Sequence, residues 1–361
     1  MVMRGENTKQ SSMLMLMSPE SRVPTNHPIR RIKKLADDSL AKLSPIFDEM
    51  YSTLGRPSIP PERLLKATLL MALYTIRSER QFCEQLDYNL LYRWFLDMDM
   101  TESTFDPTVF THNRDRLIAH DIAGEFFRVV VEQARDAHLM SSEHFTVDGT
   151  LIEAAASLKS FKKKDDDDTT PPDDPGNPSV DFHGEKRTNE THESTTDPDA
   201  KLMRKSNGTT AKLSYSAHAL MENRNGLLVD FQIDVADGRA ERRMALVMLD
   251  ESLPGDRRIT LGGDKGFDTR DFVAECRARN VTPHVAQKKH SAIDNRTSGT
   301  EGYAISLRIR KRVEEIFGWM KTVGNFRKTR YVGIGNNQLA ATMIAAAYNL
   351  IRIANLLGQP A

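Results

Sequence analysis

The chain has 361 residues, 39% of them hydrophobic and 28% charged, an ordinary globular balance that allows a sizeable core. Its two cysteines, Cys83 and Cys276, fit no disulfide framework and no zinc-ligand spacing, which excludes a stapled or zinc-built scaffold and points to a reducing cytoplasm. The formal charge of zero is a cancellation: residues 165–199 carry twelve acids against two bases, and residues 301–335 eight bases against three acids, a basic stretch of the kind that meets a phosphate backbone.

In chain order, residues 1–27 read as an extended lead-in. Their one apolar run, Met13 to Met17, is too short and too polar at its flanks for a signal segment. Residues 28–140 read as helical throughout. Pro60 and Pro61 open a helix with apolar Leu64, Leu65, Leu69, Ala72 and Leu73. Ser78-x-x-Gln81 is a capping box for the next. Asp106-Pro107 is a cap followed by proline at the first helical position, and a last helix covers residues 122–137. Two readings fit this region equally. One is a helix-turn-helix-like DNA-binding unit, with Arg77, Arg80, Arg114 and Arg116 as contacts; the other is an oligomerisation or spacer bundle.

From His144 the pattern turns to strands. Residues 145–152 form the first, and residues 213–220 and 226–234 make a hairpin whose turn is Asn225-Gly226. Between them, residues 159–210 hold the acidic run Asp165 to Asp168, Pro171-Pro172 and almost no large apolar side chain. This segment is expected to be an inserted, flexible polar loop. A helix over 239–252, a strand over 258–262, a helix over 269–279 and a strand over 281–286 complete an α/β order. A long helix spans residues 305–321. The apolar stretch 339–357 is interrupted by Asn349 and Arg352, so it reads as a buried terminal helix and not a membrane span.

Three carboxylates stand out against this frame. Asp148 follows the apolar run Phe145-Thr-Val147, Asp264 lies just past the short apolar run Arg258-Ile-Thr-Leu261, and Glu314 lies in the long helix. Two aspartates at strand ends and a glutamate on a late helix are what a two-metal phosphodiester site requires, because hard Mg²⁺ or Mn²⁺ ions take oxygen ligands on a rigid frame. Counting about 100° per residue, Ile309, Val313, Ile316, Phe317 and Met320 form the core stripe of that helix. Glu314 lies beside the stripe with Arg310 and Lys321, and Glu315 points away from it. An Arg310–Glu314 ion pair at i,i+4 explains the same spacing without a site. Lys265 and Asp268 read as turn chemistry more than substrate contact. His218 reads as a structural histidine or a site neighbour, Glu153 as an alternative ligand, and Lys288, Lys289 and His290 as a phosphate-binding loop or a solvated turn.

These residues carry a resemblance. Arg310-x3-Glu314-x6-Lys321 resembles the third motif of DDE transposases from bacterial insertion sequences, with Leu307 where that motif has tyrosine. Val147-Asp-Gly-Thr150 and Gly263-Asp-Lys-Gly-Phe-Asp268 are similar to the first and second aspartate motifs. Gly55 to Glu62, Ser78 to Gln81, Leu86 to Asn89, Ser194 to Ala200 and His218 to Asn223 resemble segments of the insertion-sequence-five group, itself related to the insertion-sequence-four group.

The resemblance implies a helical domain over 28–140 and an RNase H-like catalytic domain of α/β or α+β class over 141–357. In that domain Asp148, Asp264 and Glu314 would be both catalytic residues and ligands of two Mg²⁺ or Mn²⁺ ions. It further implies binding to terminal inverted repeats and target DNA, for which the basic residues Arg310, Lys321, Arg327, Lys328, Arg330, Lys288 and Lys289 are the expected contacts. A homodimer in the DNA complex, metal-dependent cleavage at the element ends and joining of the 3′-OH to target DNA follow as well. A non-catalytic regulator derived from such an enzyme, and a nuclease without strand transfer, are the alternative readings.

Overall fold

Local capping chemistry sets several of the helix starts in the computed structural model, which describes residues 18–51, 58–164, 187–206, 208–253 and 255–358. The N-terminal region contains α1 (Pro19–Arg22), α2 (Ile29–Lys42), α3 (Ser44–Met50), α4 (Pro61–Leu73), α5 (Glu79–Tyr88), α6 (Leu90–Phe95), α7 (Thr108–Ala119) and α8 (Ile122–Asp136). The Ser78 hydroxyl accepts the Gln81 N–H at 3.1 Å to start α5, and Asn89 Oδ1 accepts the Leu91 N–H at 3.0 Å to start α6. Asp106 Oδ1 accepts the Thr108 N–H at 2.8 Å ahead of α7. Each bond satisfies a donor that the first helical turn leaves unpaired. Residues 1–17, 52–57 and 165–186, the last holding the acidic run, lie outside the described residues.

The second region is built on β1 (His144–Glu153), β2 (Phe161–Lys163), β3 (His192–Ser194), β4 (Lys201–Met203), β5 (Lys212–Glu222), β6 (Leu228–Val235), β7 (Ile259–Gly263) and β8 (Val281–Val285). Around these strands lie α9 (Ala240–Ser252), α10 (Arg270–Ala278), α11 (Asn295–Ser298), α12 (Glu301–Ile309), α13 (Arg312–Thr322) and α14 (Ile334–Leu356). The principal sheet runs β6-β5-β1-β7-β8. β1, β7 and β8 are parallel, and β5 is antiparallel to both β1 and β6. This order and sense define an RNase H-like sheet. The expected hairpin is β5–β6, and Gly226 in its turn has φ +71°, a conformation glycine adopts without steric cost.

Two expectations need correction. The polar segment 159–210 is not loop throughout: β2 pairs β3, and β4 joins the principal sheet beside β5, with Leu202 opposite Leu213. Backbone pairing orders these short strands, and buried Phe161 stacks on buried His192 between β2 and β3, ring centroids 5.5 Å apart. The long helix expected over 305–321 divides into α12 and α13. Between them the Val313 N–H bonds Arg310 O at 3.2 Å and the Glu314 N–H bonds Lys311 O at 3.1 Å, an i→i+3 pattern that tightens the turn.

α14 is the shared element. It packs on β6 and α13 and also on α8, α4 and α2 of the N-terminal region. Residues Ala340 to Leu350 are buried along it. The two polar interruptions noted in the sequence have uses. Asn349 accepts the Leu228 N–H and donates to Leu228 O, both at 2.9 Å, and Arg352 Nε donates to Asn225 O at 2.6 Å. By length and composition this is the one described helix apolar enough to cross a membrane, and its buried contacts are those of a core helix.

Candidate active site

The parallel register of β1 and β7 brings two carboxylates to one place. His144 stands opposite Thr260, Phe145 opposite Leu261 and Thr146 opposite Gly262. The same register, carried two residues on, sets Asp148 level with Asp264. Pairing stops at Thr146–Gly262, so the strands part where the two aspartates sit. Adjacent strands run about 4.8 Å apart, so two acids at this point repel unless a cation lies between them. Asp148 Oδ1 accepts the Gly149 N–H at 2.8 Å, and Asp264 Oδ1 accepts the Gly266 N–H at 2.6 Å. Burial pushes the Asp148 carboxyl up to about 6; the charges of Asp264 and Glu241 push the same way, and the Gly149 N–H and Arg310 oppose them.

Glu314 is exposed in the first turn of α13, and among the described residues no ion pair to Arg310 forms. Its position follows from its neighbours. Arg310 Cβ lies 3.7 Å from where a Cβ on Gly262 would be, which puts the α12–α13 turn, from which α13 starts, level with Thr146. Lys321 Nζ donates to Thr150 Oγ1 at 2.5 Å. The helix therefore runs along β1 from the level of residue 146 to that of residue 150, and Asp148 lies between. Glu314 and Lys321, seven residues apart, fall within about 20° of each other around the helix, so Glu314 rides on the side that meets β1. Glu315 lies on the other side, where its charge reaches the Tyr348 hydroxyl of α14.

The remaining residues separate by role. Lys321 is half-buried, and burial, reinforced by the charges of Lys205 and Arg327, brings its ammonium down to about 8. Lys288 and Lys289 are exposed in the loop after β8. Asp268 fixes that loop beside the Asp264 turn by accepting the Lys288 N–H at 2.7 Å and the Ala292 N–H at 2.9 Å, so Asp268 acts as turn chemistry. Arg327 is exposed past the end of β1, and Lys328 pairs with Glu153 at 3.2 Å. Glu153 also pairs with Lys212 at 2.6 Å, which occupies it structurally. Arg330 is not at the site: it bonds the Arg77 carbonyl and Glu79 of the N-terminal region and stacks on Tyr331 at 4.8 Å. Arg114 bonds Glu79 at 3.0 Å and Arg116 lies 4.5 Å from the Tyr51 ring, whereas Arg77 and Arg80 are exposed.

One carboxylate at this edge escaped the sequence reading. Glu241, in the first turn of α9, has its Oε2 3.6 Å from where a Cβ on Gly266 would be, and Asp264 Oδ1 would be 2.8 Å from the same point. Burial and then the charge of Asp264 raise its carboxyl above the usual range. The signal available in the sequence was the pair of glycines, Gly149 and Gly266, kept beside the two aspartates.

Among the described residues no three acidic, histidine or cysteine side chains already surround one point. The donor set nevertheless suits a hard divalent cation: carboxylate oxygens only, mutually repelling, on adjacent strands. Ligand carboxylates that repel one another in the empty state gain most from a cation. An RNase H-like sheet with acids at the parting of its first and fourth core strands defines a phosphodiester-processing fold.

The comparisons narrow this class. Residues 17–116 match the family described as a transposase domain (DUF772), and residues 141–350 match the transposase DDE domain. The second match alone covers more than half of the chain: the protein belongs to the DDE transposase family and is a metal-dependent DNA transposase. Among solved structures it is similar to the piggyBac transposase synaptic complex with hairpin DNA, at 8% identity over 92% of this chain and 76% of that one, with a TM-score of 0.42. It is also similar to a pre-cleavage Mos1 transpososome, at 11% identity over 86% of this chain and 83% of that one, with a TM-score of 0.21. A Mos1 mariner paired end complex with Mg matches at 13% identity over 85% of each chain, with a TM-score of 0.20.

Proposed function

We propose that Asp148, Asp264 and Glu314 are the catalytic carboxylates and that they hold two Mg²⁺ or Mn²⁺ ions at the parting of β1 and β7. The single observation that carries this reading is the β1–β7 register, which sets Asp148 level with Asp264 where the strands separate. Divalent cations bound there supply charge neutralisation of the scissile phosphate and a nucleophilic oxygen at neutral pH. The protein's own groups position the DNA. Arg310 stands beside Asp148 and can grip a phosphate in bidentate fashion, and Lys321 is tied to Thr150, two residues along the strand. Lys288 and Lys289 extend the cationic edge past Asp264, and Arg327 and Lys328 extend it past the end of β1. Water first attacks the phosphate at the element end, the element's 3′-oxygen leaves as a 3′-OH and the phosphate stays on the flanking 5′ end; that hydroxyl then attacks a target phosphate and displaces the target 3′-oxygen. Holding both DNAs in line supplies most of the acceleration.

The terminal inverted repeats are the recognised DNA, and residues 28–140 are the region assigned to read them, with exposed Arg77 and Arg80 as contacts. One chain carries one such site and an element has two ends, so a homodimer is the working unit on DNA. The test is an assay of the purified protein with Mg²⁺ on DNA carrying the element ends plus a target plasmid. Cleavage that leaves a 3′-OH, followed by joined products, is expected. Cuts without joining would replace the reading with that of a nuclease, and binding without cuts with that of a regulator.

A further inference from the structure

Glu241 has no part in the three-carboxylate arrangement, yet its surroundings give it a way in. Gly149 and His218 face each other across the β1–β5 ladder, and α9 covers the face of the sheet on which they lie. A Cβ on Gly149 would stand 2.8 Å from Glu241 Cγ and 3.0 Å from its Oε1. Any other residue at 149 would therefore displace the glutamate. At Gly266 the same construction meets Asp264 Oδ1 at 2.8 Å and Glu241 Oε2 at 3.6 Å, so the two carboxylates close on one glycine from two sides. Arg242 fixes the approach, its Nη1 donating to Gly266 O at 3.2 Å. Each site aspartate thus has a glycine next to it or two residues on, and Glu241 lies across both glycines.

His218 gives an independent sign. Residues opposite one another in an antiparallel ladder share a face, so its imidazole stands beside the Gly149 position that Glu241 crosses. It is fully buried, and neither Nδ1 nor Nε2 has a hydrogen-bond partner among the described residues. Buried polar groups are almost always paired, and this imidazole has both ring nitrogens free to meet a partner.

We propose that Glu241 is a fourth carboxylate of the metal centre, entering from the α9 face past Gly149 and Gly266, with His218 as a positioning residue that donates to its carboxylate. Two divalent ions carry more charge than three carboxylates balance, and a fourth oxygen donor from behind the sheet fills that deficit while leaving the α13 side to DNA. The inference rests on the active-site reading above.

The test is Mn²⁺ binding by the full-length chain, followed by water-proton relaxation, for wild type, Glu241→Gln, Gly149→Ala and Asp148→Asn. Glu241→Gln and Gly149→Ala are each expected to weaken Mn²⁺ binding at least about tenfold, with melting in EDTA unchanged. Gly149→Ala matters because it alters no acid and acts only by moving Glu241. If Gly149→Ala melts early, Glu241→Gln decides alone. Weakened binding in Asp148→Asn together with wild-type binding in Glu241→Gln would overturn the inference and leave the three-carboxylate reading standing. Wild-type binding in Asp148→Asn, or no saturable binding by the wild type, overturns both.

Discussion

The two strand-borne aspartates and the helix-borne glutamate reach the same edge of the sheet by different means. Asp148 and Asp264 are fixed by a ladder: register sets their level, and each is turned onto a backbone amide of its own strand or turn. Glu314 is fixed by packing. Val313, Ile316, Phe317 and Met320 are buried, Lys321 ties α13 to Thr150, and the glutamate itself stays exposed. A ladder cannot slip by one residue without turning every side chain to the other face, whereas a helix can roll or slide. On the proposed assignment, the sheet supplies the rigid half of the site and the helix the half that is free to adjust.

The largest effect should come from the rigid half. Asp148→Asn and Asp264→Asn are each expected to lower the rate of cleavage of element-end DNA on the order of a thousandfold, the scale of losing a transition-state charge stabiliser. Melting should not fall, because both changes relieve repulsion; substantial residual cleavage by either variant removes the ladder from the argument.

The buried β5 strand of the same sheet gives the next effect, in stability. Burial depresses the His218 imidazole from 6.5 to about 4. Its folded pKa lies below its unfolded one, so its contribution is present above pH 6.5 and is lost as pH falls toward 4, up to about 3 kcal/mol. Asp148 and Asp230, both pushed up to about 6 by burial, act with the opposite sign, losing stability as pH rises through 6. The wild-type profile is blunted by this opposition, and the difference between wild type and His218→Gln isolates the histidine. Melting temperatures across pH 4–7 that show no such difference would mean that the imidazole is solvated.

The adjustable half is probed by Glu314→Gln, expected to cost about a hundredfold in cleavage, with a smaller deficit in Mn²⁺ than in Mg²⁺. A loss equal to that of the aspartate variants under both metals would make the two halves equivalent and end the contrast. The smallest effect is Glu315→Gln, which lies toward Tyr348 and should change stability by no more than about 0.5 kcal/mol and leave turnover intact. Inactivity of that variant in the cleavage assay would show that α13 presents its other flank to the DNA.

Much of this was legible in the chain. Strand order, the hairpin at Asn225-Gly226, the caps at Ser78 and Asp106 and the buried terminal helix all rest on local signals, and local signals persist in the fold. The level placement of Asp148 and Asp264 rests on a parallel register, which strand positions in sequence do not encode. The break at Arg310 and Lys311 was invisible because both residues keep right-handed helical angles, and only the bonding pattern changes. The intramolecular use of Arg114, Arg116 and Arg330 was missed for a related reason: an arginine beside a distant tyrosine or glutamate has the same sequence appearance as one waiting for a phosphate. Glu241 sat in a helix that attracted no notice, and the space reserved for it at Gly149 belongs to another element.

The position of α14 has a consequence for how the protein comes into being. Residues 334–356 fill the space between β6 and the helices α2, α4 and α8, and the ribosome makes them after all of these. Until they emerge, both the N-terminal helices and the outer face of β6 wait with apolar surface uncovered, the condition under which nascent chains stick to one another or to chaperones. A chain cut short before residue 334 is therefore expected to lose folded, soluble protein in both regions at once, which the yield of soluble truncated chain checks.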